Sequence, residues 1–405
     1  DPYTEGLATV FSDVFQELGG EIVAFEAEDA NATNVEPLLT TIAAAGPEIV
    51  YFPTFTSLSA LITKTAKEIE GLQDVVVLAS ADGALSPDFL EAAGSASEGM
   101  YHSGPDLSFE NPIYDEFLVA YEDTYGEEPT AVFHAHSFDA ANMILDAIEE
   151  VALVGDDGAL LIGRQALRDA LYATAGFEGI TGTLTCDQYG DCADAKISVS
   201  QVRNADFVPV WPVAAGEETM DEPVAFECTD EIGCVEVAPD DPILLASALV
   251  ISGPNIQLGV DSQRGVEIAM AFRPEVLGHP LELQAEDDGC NAEGGQAAGQ
   301  KIVSNPQVAA VIGTSCSGAG VPMSQIISDA GFAMVSPSNT SVVLTDPDQA
   351  WNPGYLRTAH NDKIQGRAMA EFVYNELGLT KAAAIHDGDP YTEGLATVFS
   401  DVFQE

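Results

Sequence analysis

Basic residues are scarce in this chain: 13 Lys and Arg stand against 66 Asp and Glu, a formal charge of −53 over 405 residues. Such a surface repels phosphate backbones and anionic headgroups, so nucleic acid is not an expected partner. Long apolar runs are lacking as well. The stretch Ile243–Ile251 stops at Ser252-Gly253-Pro254, far short of the ~18 to 20 residues that a membrane-spanning helix needs, and no membrane span is expected. No cysteine pair has the short C-x-x-C spacing or a nearby His, which argues against zinc, and no segment has the full calcium-loop pattern. We expect no cofactor and no obligatory metal. The start has no initiator Met and no basic, apolar leader, so the ends are not expected to be the biological ends.

What is present is enough for folded cores. At 46% hydrophobic content the chain can bury two of them, and its length suggests two or three domains. The acidic excess opposes compaction by self-repulsion unless salt screens it, which points either to a high-salt habitat or to ordinary acidic solubility. The runs Asp156-Asp157 and Asp240-Asp241 read as solvated surface. Six cysteines fall as Cys186 with Cys192, Cys228 with Cys234, and Cys290 with Cys316. In an export context that even count reads as three disulfides, one of about 15 pairings that six thiols permit, with zinc as the competing reading.

The segment Asp1–Glu17 recurs unchanged as Asp389–Glu405. Chance does not produce such a repeat. A circular permutant with overlapping ends, a fragment of a tandem array and an assembly collapsed on a repeat all explain it, and the acidic linker Trp211–Pro223 marks where one repeat would end and the next begin. Two identical segments cannot both fill one helix position in a monomer, so one copy is expected to be displaced or swapped into a neighbour.

Short apolar runs alternate with helical patterns along the chain, the signature of βαβ units and parallel sheets covered on both faces. Strands are expected at Glu48–Phe52, Val75–Ala79, Leu244–Ile251, Leu281–Ala285, Val308–Ile312, Ala333–Ser336 and Ala382–His386. Helices are expected at Ala135–Ala152, Gly265–Phe272, Ala292–Val303 and Ile364–Leu377, where apolar residues recur at three-four spacing. Sheets of this kind bind ligands beyond the carboxyl ends of their strands. The residues just after those strands are small, polar and Gly-rich: Ser252–Asn255, Gly313–Ser317, Ser336–Thr340 and Asp387–Tyr391. They suit backbone and hydroxyl contacts with a modest polar ligand.

At these loops the chain resembles the branched-chain amino acid binding proteins, the type I periplasmic binding proteins of ABC importers. The resemblance rests on Ser252-Gly253-Pro254, Gly265-Val266-Glu267, Glu286-Asp287-Asp288, Cys290, Cys316, Ser336-Pro337, Arg357-Thr358, Gln365-Gly366 and His386-Asp387. It covers nearly the whole repeat unit when the chain is read from about 234 to 405 and then from 18 to 212. It implies an α/β fold of two doubly wound parallel-sheet lobes joined by three hinge crossings. Residues 104–175 and 234–356 would then form lobe I. Residues 1–103, 176–212 and 357–405 would form lobe II, and 213–233 an acidic linker.

Carried over residue by residue, the resemblance implies that Ser317 and Thr340 bind a ligand carboxylate, with the backbone near Ser315, Ser338 and Asn339 helping. It implies that Asp82 receives an α-ammonium, that Tyr391 or its duplicate Tyr3 covers the ligand, and that Phe55, Leu258 and Phe133 or Phe138 line the side-chain pocket. An anionic acceptor opposite hydroxyl and amide donors distinguishes the two ends of a zwitterion. Asp82 stands where Glu is common in the family, and Leu258 where some members carry an aromatic residue.

Weaker motifs read as structure. Gly313-Thr314-Ser315-Cys316-Ser317 lacks the last glycine of a nucleophile elbow, and no triad order follows it. His134 with His136, and His386-Asp387, read as structural histidines. The expected function is therefore amino-acid or small-amide capture for an ABC permease, in the periplasm or outside the cell, with surface anchoring and tandem neighbouring receptors left open. A sensor module of a signalling receptor is the alternative, and an amidohydrolase-type enzyme the remote one.

If the acidic surface is an adaptation to salt, the thermal midpoint followed by circular dichroism should rise from about 0.1 M to about 2 M KCl as the Debye length shrinks. A flat or falling midpoint would leave only ordinary acidic solubility.

Overall fold

The computed structural model describes residues 2–73, 76–109, 111–211 and 228–386. They divide into two compact units, one drawn from the described residues of 2–106, 196–211 and 361–386 and the other from those of 107–195 and 228–360.

The first unit is built on a seven-stranded sheet. Its strand order is Glu21–Ala27, Lys381–His386, Ile49–Tyr51, Val77–Ser80, Tyr101–Pro105, Ile197–Val202 and Phe207–Trp211. The first five run parallel and the last two join antiparallel. Both faces are covered. Leu39, Ile42, Leu58, Ile62 and Phe89 fill one apolar core, and Leu7, Phe11, Phe15, Met369 and Val373 fill the other.

The helix Pro2–Glu17 belongs to that second core. Tyr3, Leu7, Phe11, Val14 and Phe15 recur at three-four spacing and are all buried. The helix packs against Asp362–Glu371 so closely that a Cβ on Gly366 would lie 2.6 Å from Val10 and 2.9 Å from the Phe11 nitrogen. The first copy of the duplicated segment thus occupies this helix position, and the second copy lies outside the described residues.

The second unit is centred on a six-stranded sheet in the order Glu275–Val276, His279–Asp287, Ile243–Leu249, Val308–Gly313, Ala333–Ser336 and Tyr355–Arg357. All neighbours are parallel except the Glu275–Val276 hairpin. That hairpin carries the expected strand Leu281–Ala285 back to His279, because Val276 pairs with His279 and Glu275 with Pro280. Helices His134–Val151, Ile256–Phe272, Ala292–Val303 and Ser317–Asp329 flank the sheet.

His134 is structural. Its ring takes Tyr114 Oη at 2.9 Å on one nitrogen and Asp261 Oδ2 at 3.0 Å on the other. The His134 and Thr130 backbone N–H groups donate to the same carboxylate. Asp261 lies inside Ile256–Phe272, so the buried carboxylate fastens that helix to the start of His134–Val151. His136 is also buried, and burial lowers its pKa to about 3. Three disulfides join Cys186 to Cys192, Cys228 to Cys234 and Cys290 to Cys316, and no free cysteine remains among the described residues. Among those residues no helix is long and apolar enough to cross a membrane, and no group of His, Cys, Asp and Glu could hold a metal.

The unit boundaries differ from the expected lobe boundaries at three places, the first being residues 104–106, which stay with the first unit at the end of its strand Tyr101–Pro105. Residues 176–195 lie in the second unit, with 107–175, not with 196–211. Asp139 explains this, since it accepts from Ile180 N at 2.8 Å, Thr181 N at 2.9 Å and Thr181 Oγ1 at 2.6 Å. Residues 357–360 also stay with the second unit, because Arg357 is the last residue of a strand in its sheet.

Phe11 is fully buried and packs on Phe15 and Tyr51 with ring centroids 5.5 and 4.5 Å away. Phe11→Ala is expected to destabilise the chain by about 3–5 kcal/mol, measured by urea unfolding. A loss below about 1 kcal/mol would mean that this helix is not part of the core.

Candidate functional site

In the second unit, the strands Val308–Gly313 and Ala333–Ser336 are parallel neighbours, so the loops that follow them lie side by side. The loops are laced together by their own polar groups. Ser336 Oγ donates to Thr314 O at 2.9 Å, Ser338 Oγ to Ser315 O at 2.8 Å and Asn339 Nδ2 to Thr314 O at 2.9 Å. The Asn339 side chain is also met by Thr314 Oγ1, so its carboxamide is committed to the loop. Ser315 Oγ is engaged too, accepting from Val250 N at 2.9 Å.

Two expected hydroxyls remain at the crest of these loops. Ser317 is the first residue of the helix Ser317–Asp329, and its Oγ accepts from Ser341 N at 3.2 Å. The Thr340 hydroxyl has no hydrogen bond to another described residue. The N–H groups of Ala319 and Gly320 return to Cys316 O, each at 3.0 Å. The first turn presents the positive end of the helix dipole, which favours an anion. Leu258 stands half-buried in the first turn of Ile256–Phe272. Phe138 instead packs edge-on to Phe117 and Phe272 in the core, at 5.4 and 5.6 Å, and does not serve as pocket lining. Phe133 is buried beside His136 and His360.

Beneath the first loop lies Asp288. Ser315 N donates to its Oδ2 at 2.6 Å and Cys290 N to its Oδ1 at 2.8 Å. Burial raises its pKa to about 7 against the pull of those N–H donors. The carboxylate therefore ties the backbone of Ser315 to the Cys290–Cys316 disulfide.

The first unit holds a second polar cluster. Asp82 follows the strand Val77–Ser80 and is only 7% exposed. Tyr3 Oη donates to its Oδ1 at 3.1 Å, and Gln365 Nε2 donates to the same oxygen and to Ser103 O at 3.0 Å. Gly83 N donates to Tyr3 Oη at 3.2 Å, and the Phe55 ring lies 5.4 Å from the Tyr3 ring. Burial raises the Tyr3 phenol well above its ordinary pKa, and the negative charges of Asp82 and Asp362 add to the shift. Burial does the same for Tyr51, with Asp82 and Asp362 contributing. Burial thus keeps the phenols around the Asp82 carboxyl neutral, so they add no negative charge of their own to the cluster.

Tyr3, Phe55 and Asp82 are brought together as expected, whereas Tyr391, His386's side chain and Asp387 lie outside the described residues. Gln365, Ser103 and Asp362 were not foreseen as site residues. Gln365-Gly366 stood out only as a family marker, and polar residues inside a helix carry no local signal of what they face.

Residues 1–206, half of the chain, match the family model described as periplasmic binding protein, and residues 272–405 match the receptor family ligand binding region. The chain belongs to the periplasmic binding protein family, a family of solute-binding receptors and not of enzymes. It is 31% identical over 180 residues to the Leu/Ile/Val-binding protein of Escherichia coli (strain K12), covering 42% of this chain and 47% of that one. It is 28% identical over 148 residues to an amino acid binding protein of Pseudomonas aeruginosa, covering 36% of this chain and 39% of that one. The chain spans about half the length of such relatives. A leucine binding protein from Thermotoga maritima aligns in structure at a TM-score of 0.42 and 22% identity, over 53% of this chain and 65% of that one.

The Asp288 environment predicts a pH effect. The unfolded carboxyl ionises near its ordinary value of 3.8, and the folded one near 7. Between those values the folded state keeps a proton that the unfolded state has lost, so this group supports folding most at low pH and loses that support as pH rises toward 7. Comparing urea unfolding of the wild type and Asp288→Asn from about pH 4 to pH 8 should show the wild type losing stability relative to the variant. A constant difference across that range would refute the assignment.

Proposed function

We propose that this chain is the ligand-binding part of an extracytoplasmic receptor that captures an amino acid with an aliphatic side chain and delivers it to an ABC permease. The observation that carries the reading is the buried Asp82 carboxylate, held by Tyr3 and Gln365 beside Phe55, in a chain of the periplasmic binding protein family. Asp82 receives the α-ammonium, with Asp362 adding to the local negative charge. Tyr3 carries out the covering role that the sequence shares between Tyr3 and Tyr391. In the second unit, Ser317 and Thr340, with the first turn of Ser317–Asp329, offer donors suited to a ligand carboxylate. Phe55, beside Tyr3 and Asp82 in the first unit, meets the side chain, which favours a branched aliphatic group over a charged one. The relatives' names, Leu/Ile/Val-binding and amino acid binding protein, support the same ligand class.

The test is calorimetric titration of the chain with the common amino acids and their amides. Saturable binding of leucine, isoleucine or valine is expected. Asp82→Ala should weaken it by at least about 30-fold, because truncating one partner of a buried charge pair costs ~2 kcal/mol or more. Thr340→Val should weaken it by about tenfold, the loss of one hydrogen bond to a charged group. Wild-type protein that binds none of these ligands would overturn the reading.

The match of residues 272–405 to the receptor family ligand binding region favours a second reading, a sensing module with the same ligand chemistry. The two part on output, since only import predicts ligand-dependent stimulation of a permease's ATP hydrolysis.

A further inference from the structure

Thr340 is useful as a carboxylate ligand only if its loop keeps one shape, and a single buried side chain controls that loop. Arg357, fully buried at the end of its strand, donates from Nη1 to Asn339 O at 3.1 Å and to Ser341 O at 2.8 Å, the carbonyls on either side of Thr340. Its Nη2 donates to Thr345 Oγ1 at 2.7 Å, farther along the same segment. Ser341 N is in turn the group that donates to Ser317 Oγ. One guanidinium therefore fixes the backbone on both sides of Thr340 and, with it, the Ser341 N–H that holds the Ser317 hydroxyl.

The charge of Arg357 is met by Asp191, whose Oδ1 accepts from Arg357 Nε and whose Oδ2 accepts from Thr345 Oγ1 at 2.9 Å. Asp191 comes from a tight turn clasped by the Cys186–Cys192 disulfide. Within it, Asp187 N donates to Asp191 O at 2.8 Å, and Asp187 Oδ1 accepts from Asp191 N at 3.0 Å. The turn is laid directly against the strand: Arg357 N donates to Gly190 O at 2.9 Å, and Cys192 N to Arg357 O at 3.1 Å. A Cβ on Gly190 would lie 2.4 Å from Tyr355 O, and Gly190 has φ +90, so only glycine fits there.

We propose that Asp191 and Arg357 are positioning residues for carboxylate recognition, and that the Cys186–Cys192 disulfide holds Asp191 in register for that task. This rests on the amino-acid reading above. The disulfide-clasped turn then acts as a specificity element: it does not touch the ligand, but it determines how well the Thr340 loop distinguishes a carboxylate from an amide. A buried cation whose carboxylate partner is misplaced pulls on the remaining acceptors, here the two carbonyls that flank Thr340.

The experiment compares leucine with leucinamide, by titration calorimetry, on the full chain and on Thr345→Val, Asp191→Asn and the paired change Cys186→Ser with Cys192→Ser. Thermal melting establishes which variants fold, and Thr345→Val carries the test if the bolder changes do not. In the folded variants, leucine affinity should fall by about tenfold while leucinamide affinity stays within about twofold, so that the preference for the free carboxylate collapses. Leucine affinity within about twofold of wild type, or an equal loss for both ligands, would overturn the positioning role. Wild-type protein that binds both alike would also overturn it, since there would be no carboxylate preference to position, whereas wild-type protein that binds neither would instead remove the amino-acid reading on which the inference rests.

Discussion

A guanidinium with no access to water has to be surrounded by acceptors, and in the second unit that requirement organises much of what surrounds it. Arg357 satisfies its donors with one carboxylate, two backbone carbonyls and a hydroxyl drawn from separate stretches of the chain. Desolvating such a charge costs several kcal/mol unless the geometry is good, so the arrangement is held by an all-or-nothing penalty and not by a sum of weak contacts. Strand, disulfide-clasped turn and loop are fixed in one decision. The parallel pairing of neighbouring strands brings the loops together, and the buried ion pair gives them their shape.

The first unit uses burial differently. Its carboxyls Asp82 and Asp362 lie near the phenols of Tyr3 and Tyr51, whose pKa burial has raised, so the tyrosines stay protonated and Tyr3 acts as a donor to Asp82. Tyr3 and Gln365 stabilise Asp82 without neutralising it. A lysine or arginine in that position would do so more strongly, but it would also occupy the place of an incoming ammonium. The scarcity of basic residues, first visible as a deficit in composition, is thus matched locally by neutral donors around the acid proposed to receive the ammonium.

Much of this was legible in the sequence because it is local. The strand Ala333–Ser336 and the helix Ala292–Val303 match their expected bounds, since periodicity and punctuation by Gly, Pro and Asn define them within one window. The adjacent cysteine pairs were legible for the same reason. What escaped depends on partners far apart in the chain. Gln365 meets Asp82 and Asp191 meets Arg357 only after sheets have formed, and neither pair leaves a trace in spacing. The place of the stretch 176–195 was not legible for the same reason: it is tied to one carboxylate, Asp139, that looks in sequence like any other polar residue of a helix. The helix of residues 364–377 was foreseen as continuous, but its last turn, Phe372–Glu376, widens into a π turn.

The strand Lys381–His386 lies between Glu21–Ala27 and Ile49–Tyr51 in the sheet, although it is far from both along the chain. Closing the first unit's sheet is therefore a long-range step, and pairings of high sequence separation are intrinsically slow because the entropy of loop closure is lost before the contact forms. Until that strand docks, the edges of its two neighbours are open to other chains. In a chain this acidic, mutual repulsion between copies protects those edges from one another, so the same charge that opposes compaction guards the interval before compaction is complete.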